Sequence, residues 1–167
     1  PLLLDRCVQV VTRSDIEIVL VDNGSTDNSY SFLNDQLANF SFITLAHVKQ
    51  NQGYGNGILE GLKKASGEIL AWTHADMQTD PADIIRGLEY FESTSDPTQV
   101  FAKGRRSGRP ISDTFFTVGM SAFETLLMRT FMWDINAQPT MFHRSFYERW
   151  EDPPKDFSLD LYAYFMA

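Results

Sequence analysis

Short apolar runs alternate along the chain with segments whose apolar residues recur every three or four positions. The runs at residues 17–21, 42–48 and 69–72 are mostly apolar or β-branched and predict buried strands. The segments between them carry apolar residues at helical spacing, as at Leu33 and Leu37. Strands that alternate with helices in this way predict an α/β domain with a mainly parallel sheet and helices on both faces.

The second half of the chain has a less regular pattern. Residues 99–103 predict a further strand, residues 115–132 a long helix that is apolar on more than one face, and residues 159–167 a final helix. Core packing is the ordinary explanation of the apolar 115–132 segment, and peripheral contact with a membrane is the alternative. Because the chain opens and stops within helical patterns, we expect a single partial domain, residues 1–167, without its flanking elements.

Composition narrows the class of protein. The chain has 167 residues, a formal net charge of −8 and 43% hydrophobic residues, which suits one domain with a real core. The acidic balance argues against a nucleic-acid partner. The single cysteine excludes an internal disulfide and suits a reducing compartment. Because no apolar run approaches the roughly 20 residues that cross a bilayer, we expect a soluble domain in the cytoplasm or at the cytoplasmic face of a membrane.

Polar loops follow three of the predicted strands. Residues 22–27 contain the Asn23-Gly24 turn signal, residues 51–57 form a glycine-rich loop, and residues 74–80 are polar. The carboxyl ends of parallel strands meet at one rim of an α/β sheet, where ligands bind. The glycine-rich loop matches neither a dinucleotide fingerprint nor a P-loop. The three loops therefore predict a ligand site of another kind at this rim.

The loop after the third strand places an imidazole, a carboxylate and an amide at alternate positions. If this segment is extended, His74, Asp76 and Gln78 point the same way. Such a set can hold a divalent cation that carries a phosphorylated substrate. The alternative is that Asp76 and Thr79 make turn hydrogen bonds before the next helix, and the residues alone favour neither reading.

A basic loop interrupts the acidic chain. Four cations fall within seven residues: Lys103, Arg105, Arg106 and Arg109. Arginine forks can bind phosphate groups. The alternative is a solvated surface loop.

Four motifs occur in a recognisable order. They are Glu-Ile-Val-Leu-Val-Asp-Asn-Gly-Ser-Thr-Asp at 17–27, Asn-Gln-Gly-Tyr-Gly at 51–55, Ser-Gly-Glu-Ile-Leu at 66–70 and His-Ala-Asp-Met-Gln-Thr-Asp-Pro at 74–81. In this order they strongly resemble family 2 glycosyltransferases with the GT-A fold. The resemblance is greatest to the branch that contains dolichyl- or polyprenyl-phosphate mannosyltransferases.

The resemblance implies an inverting glycosyltransferase. Such an enzyme moves a sugar from a nucleoside-diphosphate sugar, GDP-mannose or a UDP-sugar, to an acceptor, with Mg²⁺ or Mn²⁺. The acceptor implied by this branch is a polyprenyl or dolichyl phosphate, and a saccharide is the alternative. The implied nucleotide contacts are Asp22, Asn23, Gly24, Asn51, Gly53 and Asp76.

The resemblance also assigns metal and catalytic residues. Asp76 matches the metal-binding aspartate of the Asp-X-Asp motif, with Gln78 and His74 as further metal-side residues. Arg106 matches an arginine that meets phosphate. Asp160 corresponds to the late acidic residue of the family, and it is the candidate general base for a hydroxyl acceptor.

The sequence departs from the family pattern at several positions. His74 replaces the first aspartate of Asp-X-Asp, Gln138-Pro139 interrupts a Ser/Thr-Gly-Phe pattern, and the family's opening strand is absent. Two alternatives therefore stay open: a nucleotidyltransferase, and a non-catalytic nucleotide-binding remnant.

Overall fold

Helices and strands alternate through the first hundred residues, as the hydrophobic pattern predicts. The computed structural model describes residues 2–38, 40–106 and 133–167. The elements in chain order are α1 Leu2–Val10, β1 Ile18–Asn23, α2 Ser29–Leu37, β2 Ile43–Val48, α3 Tyr54–Lys64, β3 Ile69–Trp72, α4 Ala82–Glu92, a 3-10 turn Pro97–Gln99, β4 Phe101–Lys103, β5 Thr140–His143, α5 Arg144–Tyr147 and α6 Leu159–Met166. The helix expected over residues 115–132, with its membrane contact, lies outside the described residues.

The strands form two small sheets. β1 and β2 are parallel, with Asp22 opposite His47. β5 lies between β3 and β4 and is antiparallel to both. The α/β class and parallel pairing are thus confirmed, whereas the antiparallel pairing of the second sheet was not foreseen. Apolar runs mark where strands are, but their direction depends on the connections between them.

Two apolar clusters cover these sheets. The larger one joins α3, α5 and α6 to the second sheet through Leu62, Leu70, Trp72, Phe142, Phe146 and Ala163. The smaller one joins α1 and α2 to β2 through Leu4, Leu37 and Ile43. Within the described part of the chain, no helix combines the length and apolarity needed to span a bilayer.

A forked ion pair ties the first helix to the end of the 74–80 loop. Arg6 Nε and Nη2 donate to Asp80 Oδ1 and Oδ2 at 2.9 and 2.7 Å. Asp80 Oδ1 also accepts the backbone N–H of Ala82 at 3.0 Å, at the start of α4. The hydrogen bonds from Arg6 and Ala82 lower the pKa of Asp80 to about 2. The end of this loop is therefore fixed on two sides.

A backbone segment crosses directly over the glycine-rich loop. We call residues 153–156 the strap. Asn56 N, in the first turn of α3, donates to the carbonyl oxygen of Lys155 at 2.8 Å. A Cβ atom on Gly55 would lie 2.6 Å from Pro154 O and 2.7 Å from Asp156 O. Gly55 is therefore required by the close approach of two backbones, which no side chain could relieve by rotating.

We expect Gly55→Ala to destabilise the fold by about 2 kcal/mol or more, because the strap must move to admit the methyl group. Gly67→Ala is the matched control, since the nearest atom to its Cβ would be Ile69 O at an ordinary 3.4 Å. Urea unfolding of both variants measures the difference. Equal stabilities of the two variants would contradict this account of the strap.

Candidate functional site

The loops after β1 and β2 are joined through the side chain of Asn23. Its Nδ2 donates to the carbonyl oxygen of Gly53 at 3.0 Å, and Gly53 N donates to Asn51 Oδ1 at 2.8 Å. Gly24 has φ 77°, and a Cβ there would collide with the backbone of Asn51. The structure therefore brings together the four residues Asn23, Gly24, Asn51 and Gly53. Asn23 Oδ1 is buried next to Gly57 in the first turn of α3 and has no hydrogen-bond partner among the described residues.

Asp22 is buried beneath a histidine that sequence reasoning missed. Asp22 Oδ2 lies 2.8 Å from His47 Nδ1, and Oδ1 accepts the backbone N–H of Ser25 at 3.1 Å. Burial alone would raise the pKa of the Asp22 carboxyl, but the hydrogen bonds from Ser25 and His47 lower it below its ordinary value. Tyr30 packs on the His47 ring at 4.1 Å between centroids. A nucleotide that reached Asp22 would therefore also meet His47.

The loop after β3 bends instead of continuing as an extended strand. Asp76 Oδ1 accepts the backbone N–H of Gln78 at 3.0 Å, and Met77 has φ 64°. The hydroxyls of Thr73 and Thr79 lie 2.6 Å apart. Of the two alternatives that the residues left open, the extended segment that aligns His74, Asp76 and Gln78 is therefore wrong, and the turn hydrogen bond at Asp76 is confirmed. Local turn hydrogen bonds determine the shape of this loop, and periodicity does not record them.

The bend leaves Asp76 exposed, together with Gln78. In residues 2–38, 40–106 and 133–167, no group of three or more His, Cys, Asp or Glu side chains could hold a metal ion by itself. Asp76 offers one exposed carboxylate, which fits a cation that takes further oxygen ligands from a bound phosphate, because Mg²⁺ and similar ions commonly share their coordination with substrate phosphates. The part of His74 and Gln78 in such a site stays a prediction, because the bend no longer aligns them with Asp76.

Arg106 is engaged with the segment that precedes β5. Its backbone N–H donates to Asp134 Oδ2 at 3.0 Å, and its Nη2 donates to the carbonyl oxygen of Asn136 at 2.5 Å. Its Nε lies 3.6 Å from Asp134 Oδ1. Arg105 is exposed, whereas Arg109 lies outside the described residues. The basic loop is thus anchored at Arg106 and open to solvent at Arg105.

Asp160 is buried, with only 4% of the residue exposed. Its Oδ1 accepts Trp72 Nε1 at 3.2 Å and Gln138 Nε2 at 2.9 Å. Trp72 ends β3, and Gln138 lies just before β5. The Asp160 side chain therefore connects α6 to the end of β3 and to the residues just before β5.

Tyr54 connects the glycine-rich loop to the other two parts of the site. Its ring lies 5.7 Å from the His74 ring, and it stacks on Phe157 at 4.9 Å. Its hydroxyl oxygen lies 3.4 Å from Gln138 Nε2. Burial, followed by the negative charge of Asp160, raises the pKa of Tyr54 above its ordinary value. The hydroxyl therefore stays protonated at neutral pH and can donate a hydrogen bond.

Four residues of the site were missed by sequence reasoning: His47, Tyr54, Trp72 and Gln138. The strand register could have revealed His47, because it lies opposite Asp22 once β1 and β2 are paired. Tyr54 was visible within the glycine-rich motif, but it has no polar partner nearby in sequence. Gln138 was noted only as a departure from the family pattern. Their roles depend on long-range contacts that no local spacing records.

Comparison with known proteins identifies the family. The family model described as Glycosyl transferase family 2 matches residues 2–155. The chain therefore belongs to glycosyl transferase family 2.

Individual relatives are similar over about half of the chain. An uncharacterized glycosyltransferase from Nostoc sp. is 42% identical over 95 residues, which are 54% of this chain and 29% of that protein. An undecaprenyl-phosphate 4-deoxy-4-formamido-L-arabinose transferase from Enterobacter sp. is 37% identical over 73 residues, 43% of this chain and 22% of the relative. The chain thus matches less than a third of the length of these curated relatives.

One solved structure shares the fold across nearly the whole chain. It is a mannosyltransferase from Pyrobaculum calidifontis in complex with GDP-Man and Mn²⁺. The similarity has a TM-score of 0.65 at 22% identity and covers 94% of this chain and 44% of that one. This likeness confirms the GT-A fold that the motifs predicted.

Lys103 gives the stability of this region a distinctive pH dependence. Its Nζ donates to Ala137 O at 2.7 Å and lies 3.3 Å from Thr140 Oγ1. Burial lowers the pKa of Lys103 from 10.5 to about 8, against the opposing charges of Asp160 and Asp134. Between about pH 8 and pH 10.5 Lys103 is protonated in the unfolded chain and mostly deprotonated in the folded one, so the free energy of unfolding rises with pH.

We expect the free energy of unfolding to rise by about 2 kcal/mol from pH 7.5 to 9.5 relative to Lys103→Met, because only the native lysine carries the lowered pKa. Denaturant unfolding at both pH values measures this difference. Lys49→Met, a change of an exposed lysine, should keep the wild-type pH dependence. Parallel pH profiles for the wild type and Lys103→Met would show that the ammonium is not desolvated.

Proposed function

We propose that this chain is the donor-binding part of an inverting glycosyltransferase. Its donor is a nucleoside-diphosphate sugar, GDP-mannose or a UDP-sugar, and its acceptor is a polyprenyl or dolichyl phosphate. The observation that carries the proposal is the joining of three polar loops at one rim, through the Asn23–Gly53 hydrogen bond and the Tyr54–His74 ring contact. Membership of glycosyl transferase family 2 supports the same conclusion.

The proposed donor site divides the nucleotide between two groups of residues. Asp22 and the Asn23–Gly24 turn would meet the nucleoside, with Asn51 and Gly53 beside them. Asp76, which is exposed in the loop after β3, would contribute to the diphosphate site by helping to hold a cation.

Asp76, with Gln78 and His74 beside it, would hold Mn²⁺ or Mg²⁺. The cation supplies positive charge that stabilises the departing nucleoside diphosphate. Arg105 is exposed and would add charge on the same side, while Arg106 holds the loop on Asp134 and Asn136. The bond from the anomeric carbon to the diphosphate breaks as the acceptor oxygen attacks from the opposite face, so the configuration inverts.

Two observations support a lipid phosphate as the acceptor. Relatives from Enterobacter sp. and Yersinia pestis carry the name undecaprenyl-phosphate 4-deoxy-4-formamido-L-arabinose transferase. Asp160, the predicted general base, is buried and accepts hydrogen bonds from Trp72 and Gln138. A hydroxyl acceptor needs a base within reach, whereas a phosphate is already anionic and needs none. The acceptor would bring this site to a membrane surface.

A non-catalytic nucleotide-binding domain is the second candidate. It is favoured by the pairing of Asp22 with His47, which occupies the carboxylate without a ligand. The replacement of an aspartate by His74 also lowers the negative charge available to a cation. Nucleotide binding that does not respond to metal would support this second candidate.

We expect calorimetric titration to show that one of GDP and UDP binds tightly in the presence of Mn²⁺ and at least tenfold more weakly without it. Asp76→Asn should remove the gain from Mn²⁺, because the amide supplies no negative charge to the cation. Asp35→Asn, an equal change of charge at an exposed position of α2, is the matched control and should bind like the wild type. Nucleotide affinity that is independent of Mn²⁺ would contradict the proposed donor site.

The acceptor is tested by comparing Asp160→Asn with Asp76→Asn in transfer assays with a polyprenyl phosphate. If the acceptor is a lipid phosphate, Asp76→Asn should cost more in kcat than Asp160→Asn, because only Asp76 helps to stabilise the leaving group. The loss of a general base typically costs 10²–10⁴-fold. A larger loss at Asp160 than at Asp76 would point instead to a hydroxyl acceptor.

A further inference from the structure

We propose that Tyr54 is a positioning residue that holds the His74 imidazole at the donor rim and is itself held by the buried Asp160 carboxylate. In this arrangement Asp160 acts through Gln138 and Tyr54 and takes no proton from a substrate. The test of this inference by nucleotide binding rests on the proposed function, whereas the test by the NMR signal of His74 does not.

The ring of Tyr54 contacts two other rings. Phe157 stacks on it with centroids 4.9 Å apart and an angle of 13° between the planes. The His74 ring lies 5.7 Å away at 31°. Phe157 is 76% exposed, so its apolar ring has little other burial in the described structure than this contact.

The hydroxyl of Tyr54 lies near the buried side chains of Gln138 and Asp160. Gln138 Nε2 lies 3.4 Å from the hydroxyl oxygen and donates to Asp160 Oδ1 at 2.9 Å. The pKa of Tyr54 is raised by burial and by the charge of Asp160, so the hydroxyl keeps its proton. Asp160 also accepts Trp72 Nε1 at 3.2 Å. Both ends of the tyrosine side chain are therefore constrained, and the polar end is constrained by groups buried in the core.

The backbone of Tyr54 is constrained as well. Tyr54 is the first residue of α3, and the strap crosses the next residue, Gly55, at contact distance. The side chain therefore leaves a fixed backbone, contacts the rings of Phe157 and His74 and ends near Gln138 Nε2. His74 follows β3 by two residues and belongs to the bend that presents Asp76. A change at Tyr54 should therefore reach the cation side of the rim through His74.

The ring and the hydroxyl can be separated by mutation. Tyr54→Leu removes both the stacking and the polar contact, whereas Tyr54→Phe keeps the ring. Tyr90→Leu is the control, because Tyr90 is 67% exposed on α4. We expect Tyr54→Leu to weaken Mn²⁺-dependent nucleotide binding about tenfold, the size of effect seen when residues that orient metal ligands are removed. Tyr54→Phe should restore most of this loss.

A double-mutant cycle with His74→Ala distinguishes positioning from a general loss of structure. If Tyr54 acts through His74, Tyr54→Leu should cost little further affinity once His74 is alanine. Nucleotide affinity without metal should change less than twofold. An equal loss with and without Mn²⁺, or the same loss in the His74→Ala background, would overturn the inference.

A second test follows the NMR resonances of the three histidine imidazoles. The His74 signal is assigned by its absence in His74→Gln. We expect the His74 signal to shift in Tyr54→Leu, where the ring current is lost, and to a smaller extent in Asp160→Asn. The His143 signal should stay in place, and Tyr90→Leu should shift neither. An unchanged His74 signal in Tyr54→Leu overturns the inference even if no nucleotide binds to the wild type. If no nucleotide binds to the wild type, the proposed function fails, but a shifted His74 signal would still support the positioning role of Tyr54.

Discussion

The close approach of two backbones at the start of α3 is the constraint on which the site depends. The strap accepts a hydrogen bond from Asn56 N through Lys155 O, and Gly55 leaves the room for it. This contact fixes the first turn of α3, from which Tyr54 projects. It also sets the position from which Phe157 and α6 continue. The glycines of this loop thus serve chain packing, in addition to any contact that they make with a ligand.

The rim carboxylates are distributed in a way that favours a cation at one position. Asp22 is paired with a histidine on the neighbouring strand, Asp80 with an arginine of α1, and Asp160 with donors from the core. Asp76 is the exposed carboxylate of this group, held only by a backbone N–H among the described residues. An approaching diphosphate would therefore meet Asp76 as an exposed negative charge. Under the proposed function, a divalent cation between the two would offset that repulsion.

Sequence patterns recovered what is local in the fold. The β-branched runs located β1, β2 and β3, and the loops after β1 and β2 converge as the rule for parallel strands requires. The turn at Asp76 was one of the two alternatives that the residues left open, and the hydrogen bond from Gln78 N decides for it. Sequence patterns failed where geometry depends on distant partners: the burial of Asp160 depends on Trp72 and Gln138, and the antiparallel course of β5 on its pairing with β3 and β4. Neither has a period or a spacing that a single sequence can show.

Under the proposed function, the three loops form one site for a nucleoside diphosphate and a cation. The most direct test is a crystal structure with GDP or UDP and Mn²⁺, in which anomalous scattering locates the metal. We expect the Mn²⁺ peak within about 2.3 Å of an Asp76 carboxylate oxygen. The diphosphate should lie beside the metal, and the ribose or base against the Asp22–Asn23 turn. A nucleotide bound elsewhere, or a metal that does not touch Asp76, would contradict the account.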